Sequence, residues 1–177
     1  MPSSLSDELI SSPDNDAVRR LRRLGRRREP GFALLEGPRV VREGAACGLE
    51  LELLALRDDT DFEAAARRRI QLPAALFAAV SATVHSQGVL AVARVAEADM
   101  AGALRAADTA RWPLVVLDGV QDPGNVGAIC RTAAAAGAPA LAVLEGGADP
   151  FGPKAVRASA GHVFRLVVAR GGWADLE

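Results

Sequence analysis

A short apolar run, Leu-Val-Val-Leu at residues 114–117, is followed by a glycine-rich turn and then by an alanine-rich stretch that stops at Gly137. Four apolar residues between turn signals are typical of a strand buried on both faces, and the stretch at 125–136 has the pattern of a helix. Further strands are predicted at 140–144 and 163–168. Strands that alternate with helices predict an α/β fold with a parallel sheet.

The first hundred residues show a similar alternation, which predicts a separate α/β unit. Residues 97–111 have an alanine-rich helical pattern that Trp112-Pro113 interrupts. We therefore predict two domains, residues 1–107 and 108–177. The other predicted elements are strands at 31–36, 51–56 and 89–95 and helices at 38–46, 61–69, 74–80 and 154–160.

A run of arginines at residues 19–28 dominates the charge distribution, although the net charge of the chain is only -1. Leu21 and Leu24 recur at helical spacing and predict one apolar stripe of a helix, which Asp14 or Asp16 caps. The pattern fits a solvated helix face, but like charges repel at i,i+3 and i,i+4 spacing, and RNA phosphates would relieve that repulsion. We therefore favour RNA binding by Arg19, Arg20, Arg22, Arg23, Arg26, Arg27 and Arg28.

Metal and disulfide frameworks are not supported by the cysteine and histidine pattern. Cys47 and Cys130 lie far apart, no CxxC spacing occurs, and the chain has two histidines. We predict no metal site and interpret both cysteines as small core residues. No run of eighteen apolar residues occurs and the first residues are polar, so we expect a cytoplasmic protein without a membrane segment.

The segment DGVQDPGNVGAICRTAAAAGA, residues 118–138, lies where open α/β sheets place ligands, after a strand and at a helix start. Gly124 and Gly127 let a ligand or another backbone approach closely. Asn125 can cap the helix or present its amide, and Arg131 can hold a phosphate with two hydrogen bonds. No lysine follows the glycines and GxGxxG is absent, which excludes a P-loop and disfavours a dinucleotide site. A tight turn before a capped helix is the alternative.

The string DPGNVGAICRTAAAAGA resembles the first signature motif of the SpoU (TrmH-like) branch of the SPOUT methyltransferases, through Asn125, Gly127 and Arg131. The first hundred residues resemble the substrate-binding domain that is fused in front of it, whose fold is like that of certain RNA-binding ribosomal proteins. RLRRLGRRREPGFALLEGPRVVREG matches the opening of that domain and SQGVLAVAR its close. Residues 148–168 are similar to the stretch after the first motif, including Lys154, Arg157, Ser159 and Gly161.

This resemblance implies transfer of a methyl group from S-adenosylmethionine to a ribose 2′-hydroxyl of rRNA or tRNA. Arg131 would help to activate the hydroxyl, and Asn125 would shape the catalytic pocket. Arginine alone is a poor base because its pKa exceeds about 12, so the RNA phosphate must hold and polarise it. Lys154 and Arg157 would grip the RNA backbone or form surface salt bridges. The family also implies a homodimer for a full-length enzyme.

Nothing after Val168 resembles the two later family motifs that bind the cofactor and form a trefoil knot. We therefore expect the opening, unknotted half of a SPOUT domain, with no tight binding of S-adenosylmethionine by these 177 residues. The chain would be a truncated piece of an enzyme, as an unpaired sheet edge suggests, or a short protein that kept RNA binding and lost catalysis. Other classes left open are a non-catalytic RNA-binding or ribosome-associated module and a protein adaptor.

Overall fold

The computed structural model describes residues 7–83 and 85–176. It divides the chain into two compact units, of which unit 1 ends at Arg94 and unit 2 begins at Val95. Each unit is a sheet covered by helices, so the predicted α/β class is confirmed. The division comes earlier than the predicted boundary at 107/108.

Unit 1 contains a five-stranded mixed sheet in the order β1-β4-β3-β5-β2. β3 and β4 are parallel, as are β1 and β4, whereas β5 is antiparallel to both β3 and β2. The elements are β1 (Glu8–Leu9), α1 (Asp16–Arg26), β2 (Phe32–Glu36), α2 (Pro38–Ala46), β3 (Leu51–Arg57), β4 (Arg68–Leu72), α3 (Ala74–Val80) and β5 (Val89–Arg94).

One face of this sheet is covered by α1 and α3. Leu21 and Leu24 of α1 are fully buried and pack with Phe77 of α3 against Leu53 and Leu90 of the sheet. The apolar stripe predicted for the basic helix is therefore confirmed. α2 contacts β2 and β5 and buries Val40 and Val41. The result is a small three-layer unit that holds α1 with its charged side outward.

Two local predictions in unit 1 were wrong. The helix predicted at 61–69 is absent, and β4 begins there instead, because Ile70 and Leu72 alternate with less buried neighbours at the two-residue period of a strand. The cap of α1 is Asn15, whose side chain accepts the Ala17 N–H at 2.9 Å, and not Asp14 or Asp16. The other predicted helices and strands of this unit are present within one or two residues.

Unit 2 contains a three-stranded parallel sheet in the order β6-β7-β8. Short 3-10 turns occupy His162–Arg165 and Trp173–Leu176. The elements are α4 (Met100–Ala110), β6 (Val115–Leu117), α5 (Pro123–Ala136), β7 (Ala140–Leu144), α6 (Pro153–Ala158) and β8 (Val167–Gly171).

The helix α4 belongs to unit 2, although most of it was predicted in the first domain. Met100 and Ala103 are buried against β7 and β8, and Ala98 forms a parallel bridge to Ala169. The third strand of this sheet begins at Val167 and not at residue 163, because a 3-10 turn precedes it. β6 is not buried on both faces as predicted, since Val116 is 37% exposed.

The cysteines are not paired, and they differ in exposure. Cys130 is buried and Cys47 is partly buried at the end of α2. Burial raises the pKa of the Cys130 thiol to about 12, so this group stays protonated at neutral pH. Within residues 7–83 and 85–176, no group of three or more metal-ligating side chains occurs, and no helix is long and apolar enough to cross a membrane.

Candidate functional site

The turn after β6 leads into α5, whose first turn is capped by Asp122. One carboxylate oxygen of Asp122 accepts the Asn125 N–H at 3.0 Å, and the other accepts a hydrogen bond from the Lys154 ammonium at 2.8 Å. The Lys154 ammonium is the main cause that lowers the pKa of Asp122 from its ordinary value. Asp122 therefore joins the start of α5 to α6, and Asn125 is not the cap, which leaves its side-chain amide outside the capping bond.

Asn125 and Arg131 are both exposed on α5, whereas Val126 and Cys130 form part of its buried face. Six residues of α-helix separate the two side chains by about 9 Å along the axis and about 120° around it. The two side chains therefore lie at opposite edges of the exposed side of α5 and do not contact each other. In the part of the chain that the structure describes, the Arg131 guanidinium has no hydrogen bond or ion pair.

The two glycines of the motif have different roles from each other. A Cβ at Gly127 would lie 2.3 Å from the Ala155 carbonyl oxygen and 2.6 Å from the Ala158 Cβ. Gly127 therefore permits close packing of α5 on α6. The predicted alternatives for this glycine were close approach of a ligand and close approach of another backbone, and the structure shows the second. Gly127 lies within α5 and is not a residue of the turn. A Cβ at Gly124 would lie 2.7 Å from the capping oxygen of Asp122, so this glycine leaves room for the cap.

Both basic residues of α6 have partners. Lys154 is exposed and paired with Asp122, which matches the predicted surface salt bridge. Arg157 is partly buried and also has a partner. Ser159 is fully buried, and its hydroxyl donates to the Val156 carbonyl at 2.8 Å and accepts the Gly161 N–H at 3.2 Å. Ser159 thus closes the end of α6.

A cavity of about 410 Å³ lies between α5 and β6. Its walls are Trp112, Val115, Ile129, Thr132 and several alanines, and the Thr132 hydroxyl already donates to the Ala128 carbonyl. These walls carry no charged group for the sulfonium or carboxylate of a methionine cofactor. This cavity therefore does not fit S-adenosylmethionine.

The basic helix of unit 1 is partly neutralised by acids that are near it in space. Asp16 pairs with Arg19, and Glu29 accepts hydrogen bonds from Arg20 and Arg23, both at 3.2 Å. The Arg28 side chain donates to the Phe32 carbonyl at 3.0 Å. Acids therefore relieve part of the predicted like-charge repulsion at Arg19, Arg20 and Arg23.

Three arginines of the same segment have no acidic partner among the described residues: Arg22, Arg26 and Arg27. Together with Arg19 and Arg23 they line a groove of about 280 Å³, which we call the arginine groove. The buried stripe of α1 holds the backbone in place while these guanidinium groups face solvent. A groove of this kind is suited to a polyanion.

One feature of unit 1 was not predicted from the sequence. A polar cavity lies beside α3 and includes Arg57, His85 and Ser86. Arg57 is 28 residues before His85 in the sequence, and the three residues form no known motif spacing. The local signal for polar groups in this region is Glu36, an acidic residue at the end of a predicted apolar strand. A carboxylate that is buried there needs hydrogen-bond partners nearby.

The fold and the exposed groups define an α/β protein. Its first unit has the arginine groove, and its second unit has a strand–turn–helix site. Residues 113–175 match the SpoU rRNA Methylase family. The predicted resemblance to SpoU/TrmH-like RNA methyltransferases is therefore confirmed.

Similarity to individual proteins extends over nearly the whole chain. It is 34% identical over 168 residues to the 23S rRNA (guanosine(2553)-2'-O)-methyltransferase RlmP of Bacillus subtilis, covering 91% of this chain and 64% of that protein. It thus spans less than two thirds of that relative.

Solved structures show the same fold. An AdoMet-bound rRNA methyltransferase from Sinorhizobium meliloti superposes with a TM-score of 0.77 at 22% identity, covering 96% of this chain and 66% of that one. The SpoU methyltransferase AviRb from Streptomyces viridochromogenes, in complex with AdoMet, has a TM-score of 0.70 at 25% identity, and the match covers 89% of this chain and 62% of AviRb.

Proposed function

We propose that the protein is an RNA methyltransferase that transfers a methyl group from S-adenosylmethionine to a ribose 2′-hydroxyl of rRNA or tRNA. The observation that carries the proposal is the exposed Arg131 guanidinium, without a partner in the described chain, on the helix that bears the SpoU motif. The relative RlmP is a 23S rRNA 2′-O-methyltransferase, which supports rRNA as the substrate class.

Arg131 would act on the RNA side of the reaction. Its planar guanidinium can bind a phosphate with two hydrogen bonds, and this contact would orient the adjacent ribose hydroxyl. Because arginine stays protonated at neutral pH, the guanidinium would orient and polarise the hydroxyl through its phosphate contact, and the hydroxyl proton would pass to solvent as the methyl group is transferred. Asn125 would contribute a neutral amide to the same pocket from the opposite flank of α5, so the RNA must reach across the exposed side of the helix.

S-Adenosylmethionine is the methyl donor of SpoU methyltransferases, and it supplies an electrophilic methyl group. The apolar cavity between α5 and β6 does not fit it, and we assign no residue of this chain to cofactor binding. We also propose a homodimer and a cytoplasmic location for the enzyme, on the family resemblance.

RNA would be held by the arginine groove of unit 1. Arg22, Arg26 and Arg27 present guanidinium groups that no acid of the described chain neutralises, while Glu29 fixes Arg20 and Arg23 in place. Release of counterions from RNA phosphates would drive this binding. Lys154 and Arg157 would have a smaller part in gripping RNA, since both already have partners.

A second candidate is a non-catalytic RNA-binding module. The poor fit of the apolar cavity to the cofactor favours it for this chain taken alone. Titration of the chain with S-adenosylmethionine tests this candidate, because tight binding of the cofactor would contradict it.

Incubation of the complete protein with ribosomal RNA and isotope-labelled S-adenosylmethionine tests the proposal. We expect label in an alkali-resistant dinucleotide, because a 2′-O-methyl group blocks hydrolysis of the neighbouring phosphodiester. Label on a base, or no transfer to rRNA or tRNA, would contradict the proposed function.

A further inference from the structure

The polar cavity of unit 1 has a volume of about 320 Å³. One wall is α3, which contributes small and apolar groups, and the opposite rim carries a guanidinium, an imidazole and a hydroxyl. We call it the rim cavity. The residues used below are Ala74, Phe77 and Ala78 on the wall and Arg57, His85 and Ser86 on the rim.

The rim is held from one side by Glu36 at the end of β2. This carboxylate is 7% exposed, and one of its oxygens accepts the N–H groups of Ala82 and Thr83 at 3.1 and 3.2 Å and the Thr83 hydroxyl at 2.9 Å. A buried carboxylate with several donors fixes those donors in space. Glu36 thus sets the position of the chain that follows α3.

The rim is held from the other side by Arg57 at the end of β3. Its backbone N–H donates to the Gly88 carbonyl at 2.9 Å, and its guanidinium donates to the Ser86 carbonyl at 3.4 Å. Gly88 has φ of +75°, and a Cβ there would lie 2.0 Å from the Thr60 hydroxyl oxygen, so only glycine fits. A rim fixed at both ends loses little conformational freedom when a ligand binds.

The rim cavity adjoins the helix of the arginine groove. α1 packs on α3, and a Cβ at Gly25 would lie 3.7 Å from the Val80 carbonyl oxygen at the end of α3. Arg26 follows Gly25 directly and lines the groove. The groove therefore lies on α1 and the cavity beside α3, two helices of unit 1 that pack on each other.

We propose that the rim cavity binds one unpaired nucleotide of the RNA whose backbone lies in the arginine groove. The inference rests on the proposed function, because it requires RNA as the ligand. The volume is at the low end of the range of about 300–1,000 Å³ for small-ligand sites, which suits one nucleotide and not an extended strand. The wall of α3 would take the face of the base, and the rim donors would take its polar edge or the sugar.

Filling the cavity tests this role without removing any charge. Ala78 and Ala79 are adjacent, exposed residues of α3, and only Ala78 lines the cavity. Ala78→Met is the test variant and Ala79→Met is its matched control, since both add the same side chain to the same helix. The complete protein is titrated with a short RNA hairpin that has an unpaired loop and with a blunt duplex of the same stem, at low and moderate salt.

We expect Ala78→Met to weaken hairpin binding about tenfold, the scale of removing one stacked base from the complex, and to leave duplex binding unchanged. The salt dependence should stay the same, because every phosphate-binding group is still present. His85→Ala should weaken hairpin binding in the same direction. Equal hairpin affinity for the two methionine variants, with RNA still bound, overturns the rim-cavity assignment alone. Absence of RNA binding by the wild type overturns the proposed function as well.

Discussion

The two units of this chain use arginine in opposite ways. Unit 1 gathers five arginines around one groove, where two of them are also paired with acids and three have no acidic partner in the described chain. Unit 2 presents a single unpartnered guanidinium on the helix of the SpoU motif, that of Arg131. Many exchangeable charges suit binding to a phosphate backbone, whereas one charge at a defined position suits chemistry. We therefore propose that RNA recognition and methyl transfer depend on separate residues.

Arg131→Ala should have the largest effect on activity. We expect methyl transfer by the complete protein to fall by a factor on the order of 10²–10⁴, the range for removal of a positioned acid–base group. RNA affinity should change little, because the arginine groove is intact. The rate is measured with labelled cofactor. Arg105→Ala is the control, since Arg105 is an exposed arginine of unit 2 away from α5, and equal decreases in both variants would argue against a special role for Arg131.

Gly127→Ala should destabilise unit 2 by about 1–3 kcal/mol, because the added methyl meets the backbone of α6 and forces the two helices apart. Gly25→Ala in α1 is the matched change in unit 1, where the nearest atom would be 3.7 Å away. It should stabilise by about 0.5 kcal/mol through helix propensity. Urea unfolding of both variants checks the pair. A neutral Gly127→Ala would show that the glycine is not needed for helix packing.

Combined replacement of Arg22, Arg26 and Arg27 by alanine should weaken RNA binding by at least about tenfold at moderate salt. The slope of log affinity against log salt should decrease by about 0.7–0.9 for each phosphate that the variant no longer neutralises. Filter binding across a salt series measures both quantities. Arg68→Ala removes an arginine that is paired with Glu8 and does not line the arginine groove. This control should leave the slope unchanged, and a similar change there would indicate a diffuse charge effect.

Acid should affect unit 1 through Asp7. A hydrogen bond from Arg69, at 2.6 Å, lowers the pKa of Asp7 below 3.8 and joins the segment before β1 to β4. The stability from this pair is present above the unfolded pKa and is lost as the pH falls through the lower folded value. Asp7→Asn should therefore flatten the pH dependence of the free energy of unfolding below about pH 4. The change in that free energy should be less than about 1 kcal/mol. An unchanged acid profile would show that the pair does not contribute.

Regular elements with a clear pattern were predictable from the sequence. The helix at 38–46 begins with a proline, and the helix at 74–80 follows one. Both are present with those bounds. The helix of the motif and its end at Gly137 follow from an alanine run and a glycine stop. β4 was missed because its arginines and preceding alanines suit a helix, and only pairing with β3 makes it a strand.

The details of the candidate site depended on tertiary contacts. Asp122 caps α5 through one oxygen, and Lys154, 32 residues later, meets its second oxygen and joins the cap to α6. Glu29 neutralises two arginines only because the chain turns back after α1. The motif residues Asn125 and Arg131 were identified by resemblance, and their exposure is a result of which face of α5 packs on α6. Local sequence contains none of this information.

We propose that unit 1 holds the RNA and that Arg131 of unit 2 acts in the reaction. The direct measurement is the methyl-transfer rate of two variants of the complete protein as RNA concentration is raised to saturation. The variant with Arg22, Arg26 and Arg27 replaced should regain a near-wild-type rate at high RNA, while Arg131→Ala should stay slow at every concentration. A rate that stays low for the triple variant, or that recovers for Arg131→Ala, would contradict this division.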